Sequence, residues 1–300
     1  MKRRFFIKGI MFSAAMVTAL GAMPLWAGAP TAAEYGVVLN LSGKQRMLTQ
    51  KMSKEVMLVA LGVDAQTNLG NLKKTAALFD KTLKGLKDGD ADLGLPPTES
   101  RRIKRQLGKV AKIWKGFHAT VESVVGSGQV SKDQVAQIAK ENLPLLKQMN
   151  KCVKLYEKDA SKAGLKSDPG LAVTINLAGK QRMLTQKMSK EYLLAAYGHA
   201  VEDNKLNLLE TYSLFERTLK GLMDGDATLD LPGTQNAAIR AQLEVVAGLW
   251  ATFKPVVVEG ADPKTSSYPA DKVNTLATTN LPLLKQMNRA VGMFAKEAAK

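Results

Sequence analysis

One sixteen-residue phrase occurs twice in this chain and constrains its organisation more than any other feature. Residues 40–55 read NLSGKQRMLTQKMSKE and residues 176–191 read NLAGKQRMLTQKMSKE, so fifteen of the sixteen positions agree. The offset of 136 residues grows to 138 at a second shared phrase, NLPLLKQMN. A repeat of that length is domain-sized, because the units of solenoid proteins span only roughly 20–50 residues. We therefore predict two tandem domains, at residues 34–164 and 170–300.

Apolar residues recur at helical spacing through both repeats, and no segment alternates as a strand would. We predict helices at residues 34–64, 66–88, 97–126 and 131–162 in the first repeat, and at 170–200, 202–224, 233–256 and 268–299 in the second. Four long helices with short links favour an antiparallel bundle. The predicted fold class is all-α, with two tandem antiparallel four-helix bundles. Pro144 and Pro282 should kink the last helix of each bundle or delay its start.

The first 33 residues have the pattern of a signal peptide. A basic start, MKRRFFIKG, precedes an apolar run and small residues, which places cleavage after Ala27 or Ala33. The stretch RRFFIK resembles the twin-arginine export motif. The apolar run is short for a membrane span of ~20 residues. We therefore predict a signal peptide at residues 1–33 and a soluble periplasmic protein, unless an uncleaved signal tethers the chain to the membrane.

Composition narrows the function classes. The formal net charge is +16, and four basic residues of the predicted signal account for part of it. Such a charge suits nucleic acid, an anionic surface or anionic ligands. Nucleic acid is not expected for an exported chain without a basic run interleaved with aromatic residues.

Catalytic and metal-binding signatures are not found. Cys152 is the only cysteine, and the two histidines, His118 and His199, have no counterparts in the other repeat. No phosphate loop, H-E-x-x-H or C-x-x-C motif occurs. The acidic stretch DGDAD (88–92) lacks the glycine of a calcium loop and fits a capped turn better. We therefore expect no enzyme, no metal and no cofactor.

The repeated phrase separates into three stripes when it is placed on a helix at roughly 100° per residue. Leu41, Leu48 and Met52 form an apolar stripe that should face the core, and Lys44 and Lys51 lie on a flank that we expect to be solvated. The third stripe is polar and centres on an arginine. Its members are Ser42, Gly43, Arg46, Thr49, Gln50 and Ser53, and in the second copy Gly179, Arg182, Thr185, Gln186 and Ser189.

The polar stripe requires a partner for its arginine. A guanidinium offers a planar fork of donors that matches an oxyanion, and hydroxyls can add further hydrogen bonds. The acid of the phrase, Glu55, falls on the far side of the helix. Two explanations stay open: a bound anion, or a carboxylate from another helix such as Asp80 or Glu122.

The motif N-L-x-G-K-Q-R-M-L-T-Q-K-M-x-K, which both copies of the phrase contain, resembles the opening helix of the type IV pilus chemotaxis-transducer N-terminal (PilJ-type) domain. Less closely, it resembles the periplasmic helix of nitrate/nitrite sensor kinases. TLKGL and NLPLLKQMN fit the same module, so the resemblance covers two tandem copies. It implies periplasmic sensory bundles in which the arginine before the methionine meets its twin and clamps an anion. By motif position these arginines are Arg46 and Arg182.

The resemblance implies a soluble periplasmic sensory protein that binds a small, nitrate-like oxyanion at paired arginines. Since the receptors of this family hold a second membrane span and a signalling module that we do not find here, the chain resembles their sensing part. The twin arginine would come from the same chain, or from a second copy in a homodimer. The alternative is a protein-interaction module that partners a pilus component or a membrane chemoreceptor without a small ligand.

Overall fold

A computed structural model describes residues 30–162 and 169–297 of the chain. The predicted signal peptide therefore lies almost entirely outside the described residues, as does the centre of the segment between the repeats. The first repeat forms α1 (Ala32–Ala60), α2 (Ala65–Asp88), α3 (Arg101–Ser127) and α4 (Lys132–Lys162). The second forms α5 (Pro169–Ala196), α6 (Val201–Asp224), α7 (Ala237–Ala261) and α8 (Ala270–Glu297). No strand occurs in these ranges, so the all-α prediction is confirmed.

Each repeat is a four-helix bundle with a continuous apolar core. In the first bundle α1 and α3 each contact both α2 and α4, and the second bundle repeats this pattern with α5 to α8. Trp114 and Trp250 are buried in these cores. The ring centroid of Trp114 is 4.3 Å from that of Phe79, and the ring centroid of Trp250 is 4.8 Å from that of Phe215. Burial of such large apolar rings is a main stabilising contribution of each bundle.

Several helix ends differ from the predicted ones, for local reasons. α1 ends at Ala60 rather than near residue 64, because Gly62 (φ 71°) and Asp64 (φ 43°) adopt left-handed conformations. α3 begins at Arg101 rather than residue 97. Thr98 instead donates its hydroxyl to the Leu86 carbonyl at 2.6 Å, which anchors the connection to α2.

The prolines of α4 and α8 do not delay the start of these helices. α4 begins at Lys132 and continues past Pro144, and Pro282 likewise lies within α8. The acidic stretch between α2 and α3 is a capped turn, as predicted. Asp90 and Leu95 exchange backbone hydrogen bonds, and the Asp90 carboxylate accepts the Leu93 amide at 3.0 Å.

One described helix, α7, is long and apolar enough to cross a membrane by length and composition alone. Its side chains Trp250, Phe253 and Val257 are buried in the second bundle. It also occupies the position that α3, with its many charged residues, holds in the first bundle. We therefore assign α7 to the bundle core.

The two bundles are joined through α1 and α5, the helices that carry the repeated phrase. These helices run parallel, because equivalent residues lie at the same level. Gly43 of α1 approaches Arg182 of α5, and Gly179 of α5 approaches Arg46 of α1. The phrase therefore lies at the interface between the repeats, related by an approximate twofold axis along the helices.

Candidate functional site

The candidate site is a small cavity between α1 and α5. Its lining consists of five pairs of equivalent residues and one residue that has no paired equivalent. The pairs are Leu39 and Ile175, Asn40 and Asn176, Gly43 and Gly179, Arg46 and Arg182, and Val153 and Val291. The unpaired residue is Glu157 of α4, whose equivalent in α8 is Ala295.

The cavity is small enough to limit its ligands. Its enclosed volume is about 10 Å³. The inner space is close to that needed by one water molecule. The enclosed space therefore holds one water molecule as it stands, and an anion of several atoms requires the arginine side chains or the helices to move apart.

Arg46 and Arg182 converge at this cavity. The two residues are only 4% and 2% exposed. A Cβ placed on Gly43 would lie 3.4 Å from Nη2 of Arg46 and 3.8 Å from Nη2 of Arg182. At Gly179 the corresponding distances are 3.7 Å and 3.5 Å. Both guanidinium groups thus approach the same pair of glycines, where the absence of a Cβ leaves them room.

Neutral groups, rather than carboxylates, hold the two arginines. Arg46 donates from Nη1 to the side-chain oxygen of Asn150 at 3.3 Å, and Arg182 donates to that of Asn288 at 2.8 Å. Arg182 also donates from Nη2 to the Asn40 carbonyl, across the interface, at 3.4 Å. Its Nε is buried and makes no hydrogen bond within the described part of the chain. Neither guanidinium forms an ion pair with a described carboxylate.

The cavity carries an excess of positive charge. Burial lowers the pKa of both arginines to about 10; Glu157 raises that of Arg46, and the positive charge of Arg46 lowers that of Arg182. Both arginines therefore remain protonated at neutral pH. The pKa values of Lys44 and Lys180, at the edge of the site, are lowered mainly by burial. The positive charge of Arg182 lowers that of Lys44 further, and that of Arg46 lowers that of Lys180 further. Glu157 compensates only part of this buried positive charge, and buried charge without a full counter-charge is costly, so an anion would stabilise it.

The structure divides the predicted polar stripe into two groups. Gly43, Arg46, Gly179 and Arg182 line the cavity. The other members, none of which lines it, are Ser42, Thr49, Gln50, Ser53, Thr185, Gln186 and Ser189. The hydroxyls of Ser42 and Thr49 donate to backbone carbonyls of their own helix, at 3.3 and 2.8 Å.

Ser53 and its equivalent have a different role, which involves a second polar layer. Asn142 of α4 donates to the Thr49 carbonyl at 3.1 Å and to the Ser53 hydroxyl at 2.6 Å, and so ties α4 to α1. Its side-chain oxygen accepts from Lys190 of the other repeat at 3.5 Å. The second repeat mirrors this arrangement, with Lys54 donating to Asn280 at 3.1 Å. We call Lys54, Lys190, Asn142 and Asn280 the lysine–asparagine layer.

Two sequence-based expectations about charges are corrected. Asp80 accepts from the Trp114 indole at 3.1 Å and pairs with Lys84, and Glu122 lies beside His118, so neither carboxylate partners an arginine of the site. Lys51 is not solvated. It is mostly buried, and it donates to Glu55 and to Thr75 of α2.

Sequence reasoning missed Glu157 and the lysine–asparagine layer. A signal for the layer was present, because Lys54 follows Gly43 by eleven residues, close to three helical turns, and so shares its face. For Glu157 the phrase held no signal, since this residue belongs to α4 and its equivalent is alanine.

Two four-helix bundles that share a small cavity between their first helices have the architecture of a sensory or interaction module. Residues 32–140 and 165–273 match the family described as type IV pili methyl-accepting chemotaxis transducer N-terminal domain, PilJ. The chain belongs to this family, in two tandem copies. The resemblance found in the repeated phrase is thus confirmed.

Two relatives come from Pseudomonas aeruginosa. "Protein PilJ" is 26% identical over 218 residues, which cover 70% of this chain and 30% of that protein. "Methyl-accepting chemotaxis protein McpN" is 30% identical over 118 residues, which cover 39% of this chain and 21% of that protein. The chain thus spans less than a third of the length of either relative.

Proposed function

We propose that this protein is a periplasmic sensory protein that binds a small, nitrate-like oxyanion between Arg46 and Arg182. One observation carries the proposal: two buried guanidinium groups face one small cavity, and neither forms an ion pair with a described carboxylate. Two like charges in such a place repel each other, and their burial is offset only if an opposite charge is supplied. A bound anion would supply it.

The chemistry of the donors favours an oxyanion. Each guanidinium offers N–H groups in a planar fork, which suits an anion with two or more oxygens. Gly43 and Gly179 would let such an anion approach both helices closely. The apolar pairs Leu39 with Ile175 and Val153 with Val291 would exclude water and so strengthen these hydrogen bonds.

Binding at this position would report on the relation between the two bundles. The anion would bridge α1 and α5, so its presence would favour the arrangement in which both arginines reach it. A membrane receptor or a pilus protein would recognise and bind this arrangement of the two bundles, in keeping with the names of the two relatives. Export to the periplasm, by the predicted signal peptide, belongs to the same proposal.

Titration calorimetry with sodium nitrate, sodium nitrite and sodium formate tests the proposal. Arg46→Ala and Arg182→Ala should each weaken binding at least about tenfold, because each removes charged hydrogen bonds to the anion. Both variants should remain folded, since each removes one of two repelling charges. Arg105→Ala removes an exposed arginine of α3 and should leave binding unchanged.

Two results would contradict the proposal. One is the absence of binding for all three anions by the wild-type protein, which would favour the protein-interaction alternative. The other is binding that survives in both cavity variants as it does in Arg105→Ala.

A further inference from the structure

The lining of the cavity is symmetric except for one residue. Every other lining side chain has an equivalent from the second repeat on the opposite wall, whereas Glu157 faces no second carboxylate, because Ala295 occupies the equivalent position in α8. Glu157 also lies beyond residues 32–140, the part of the first repeat that matches the family.

Glu157 is placed to act on an anion without neutralising the arginines. It lines the same cavity as Arg46 and is half-buried, yet it forms no ion pair with that arginine. One of its carboxylate oxygens is buried and accepts no hydrogen bond from the described residues. Burial raises the pKa of Glu157 above its ordinary value, an effect that the positive charge of Arg46 partly opposes. When ionised, the carboxylate places a negative charge in the wall of a cavity that two arginines line.

A fixed negative charge discriminates between anions by their charge. Its repulsion of a doubly charged anion is twice its repulsion of a singly charged anion at the same position. The screening by solvent is weaker in a buried cavity than at the surface, so the difference should be measurable.

We propose that Glu157 is a specificity-determining residue, which makes the cavity select singly charged over doubly charged oxyanions. This inference rests on the proposed function, because it requires that the arginines bind an anion. It adds the charge class of the ligand, which the arginine pair alone leaves open, since two guanidinium groups would suit sulfate at least as well as nitrate.

The test compares nitrate with sulfate by titration calorimetry at matched ionic strength. Glu157→Ala copies the second repeat, and Glu157→Gln keeps the shape of the side chain but removes its charge. If the two unit charges are taken as roughly 7 Å apart, with an effective dielectric between about 20 and 80, their repulsion corresponds to a change in affinity between about threefold and about fiftyfold, with about tenfold in the middle of that range. Each variant should therefore bind nitrate about tenfold more tightly and sulfate about a hundredfold more tightly. The ratio of sulfate to nitrate affinity should rise about tenfold.

The reverse variant, Ala295→Glu, is the matched control. It places a second carboxylate at the equivalent position of α8 and should lower the ratio of sulfate to nitrate affinity. An unchanged ratio in both Glu157 variants, with nitrate binding that still depends on Arg46, would overturn the role of Glu157 and leave the proposed function standing. A change in Glu157→Ala alone would also overturn it, since the effect would then be one of size rather than charge. If neither nitrate nor sulfate binds to the wild type or to any variant, the proposed function itself fails.

Discussion

The lysine–asparagine layer predicts an unusual dependence of stability on pH. Lys54 is 2% exposed, and burial lowers its pKa from the ordinary 10.5 to about 8, an effect that Glu55 partly opposes. Lys190 has the same surroundings in the second repeat, and its pKa is also lowered to about 8. Because the folded pKa is depressed, the unfolded chain binds more protons than the folded chain between about pH 8 and pH 10.5. The free energy of unfolding must therefore rise with pH in this window.

The size of the effect follows from the pKa shift. Below about pH 8 both states are protonated, so lowering the pKa from 10.5 to about 8 costs about 3 kcal/mol for each lysine. Between about pH 7 and pH 9.5 part of this cost is removed, and stability should rise by about 2 kcal/mol per lysine. Lys54→Met lacks this contribution. The stability of the wild type relative to Lys54→Met should thus increase by about 2 kcal/mol over that interval.

Urea unfolding followed by circular dichroism at several pH values measures this difference directly. Other titrating groups are common to both proteins and cancel. Lys73→Met, which replaces an exposed lysine of α2, should give a curve parallel to that of the wild type. If the curves of Lys54→Met and the wild type are also parallel between pH 7 and pH 9.5, the ammonium group is not buried as described and the reasoning is wrong.

Two further predictions concern single side chains. Gly43→Ala should raise the free energy of unfolding by up to ~1 kcal/mol, because alanine favours a helix interior. The same variant should weaken nitrate binding, because its Cβ would lie 3.4 Å from Arg46 and 3.8 Å from Arg182. Gly36→Ala, which meets nothing within 4 Å, should stabilise without affecting calorimetric titrations, and equal binding by both variants would count against the site. Tyr156→Phe should cost about 1 kcal/mol in urea unfolding, because the hydroxyl contacts the Leu86 carbonyl at 3.0 Å and Thr98 at 2.8 Å. The second repeat has phenylalanine, Phe294, at the equivalent position. An unchanged free energy of unfolding in Tyr156→Phe would show that the hydroxyl contacts contribute nothing to stability.

The fold could be predicted from the sequence because its determinants are local and repeated. Helical spacing of apolar residues gives the helices, and short links between them give antiparallel bundles. Helix ends were less accurate, since they depend on single contacts such as that of Thr98 with Leu86. The identity of the central arginines also followed from the phrase, because Arg46 lies on a polar stripe that its own helix does not satisfy.

The composition of the cavity could not be predicted in the same way. The angle of a residue on its helix says which neighbours it shares a face with, but not which other helix covers that face. Thr49 and Ser53 lie on the stripe of Arg46, yet α4 covers them through Asn142. Glu157 reaches the cavity only because α4 packs on α1 at one particular register.

The sequence by itself thus determined that the chain forms two helical bundles. It also determined that each bundle contains one copy of the phrase, whose arginine finds no partner on its own helix. The tertiary structure alone decided that the two arginines meet within one chain, that buried lysines cross between the repeats, and that one wall of the cavity carries a lone carboxylate. The physical reason is the separation in sequence of the interacting residues. Helical periodicity follows from hydrogen bonds between residues four apart. The surroundings of a buried charge depend on side chains more than a hundred residues away in the chain.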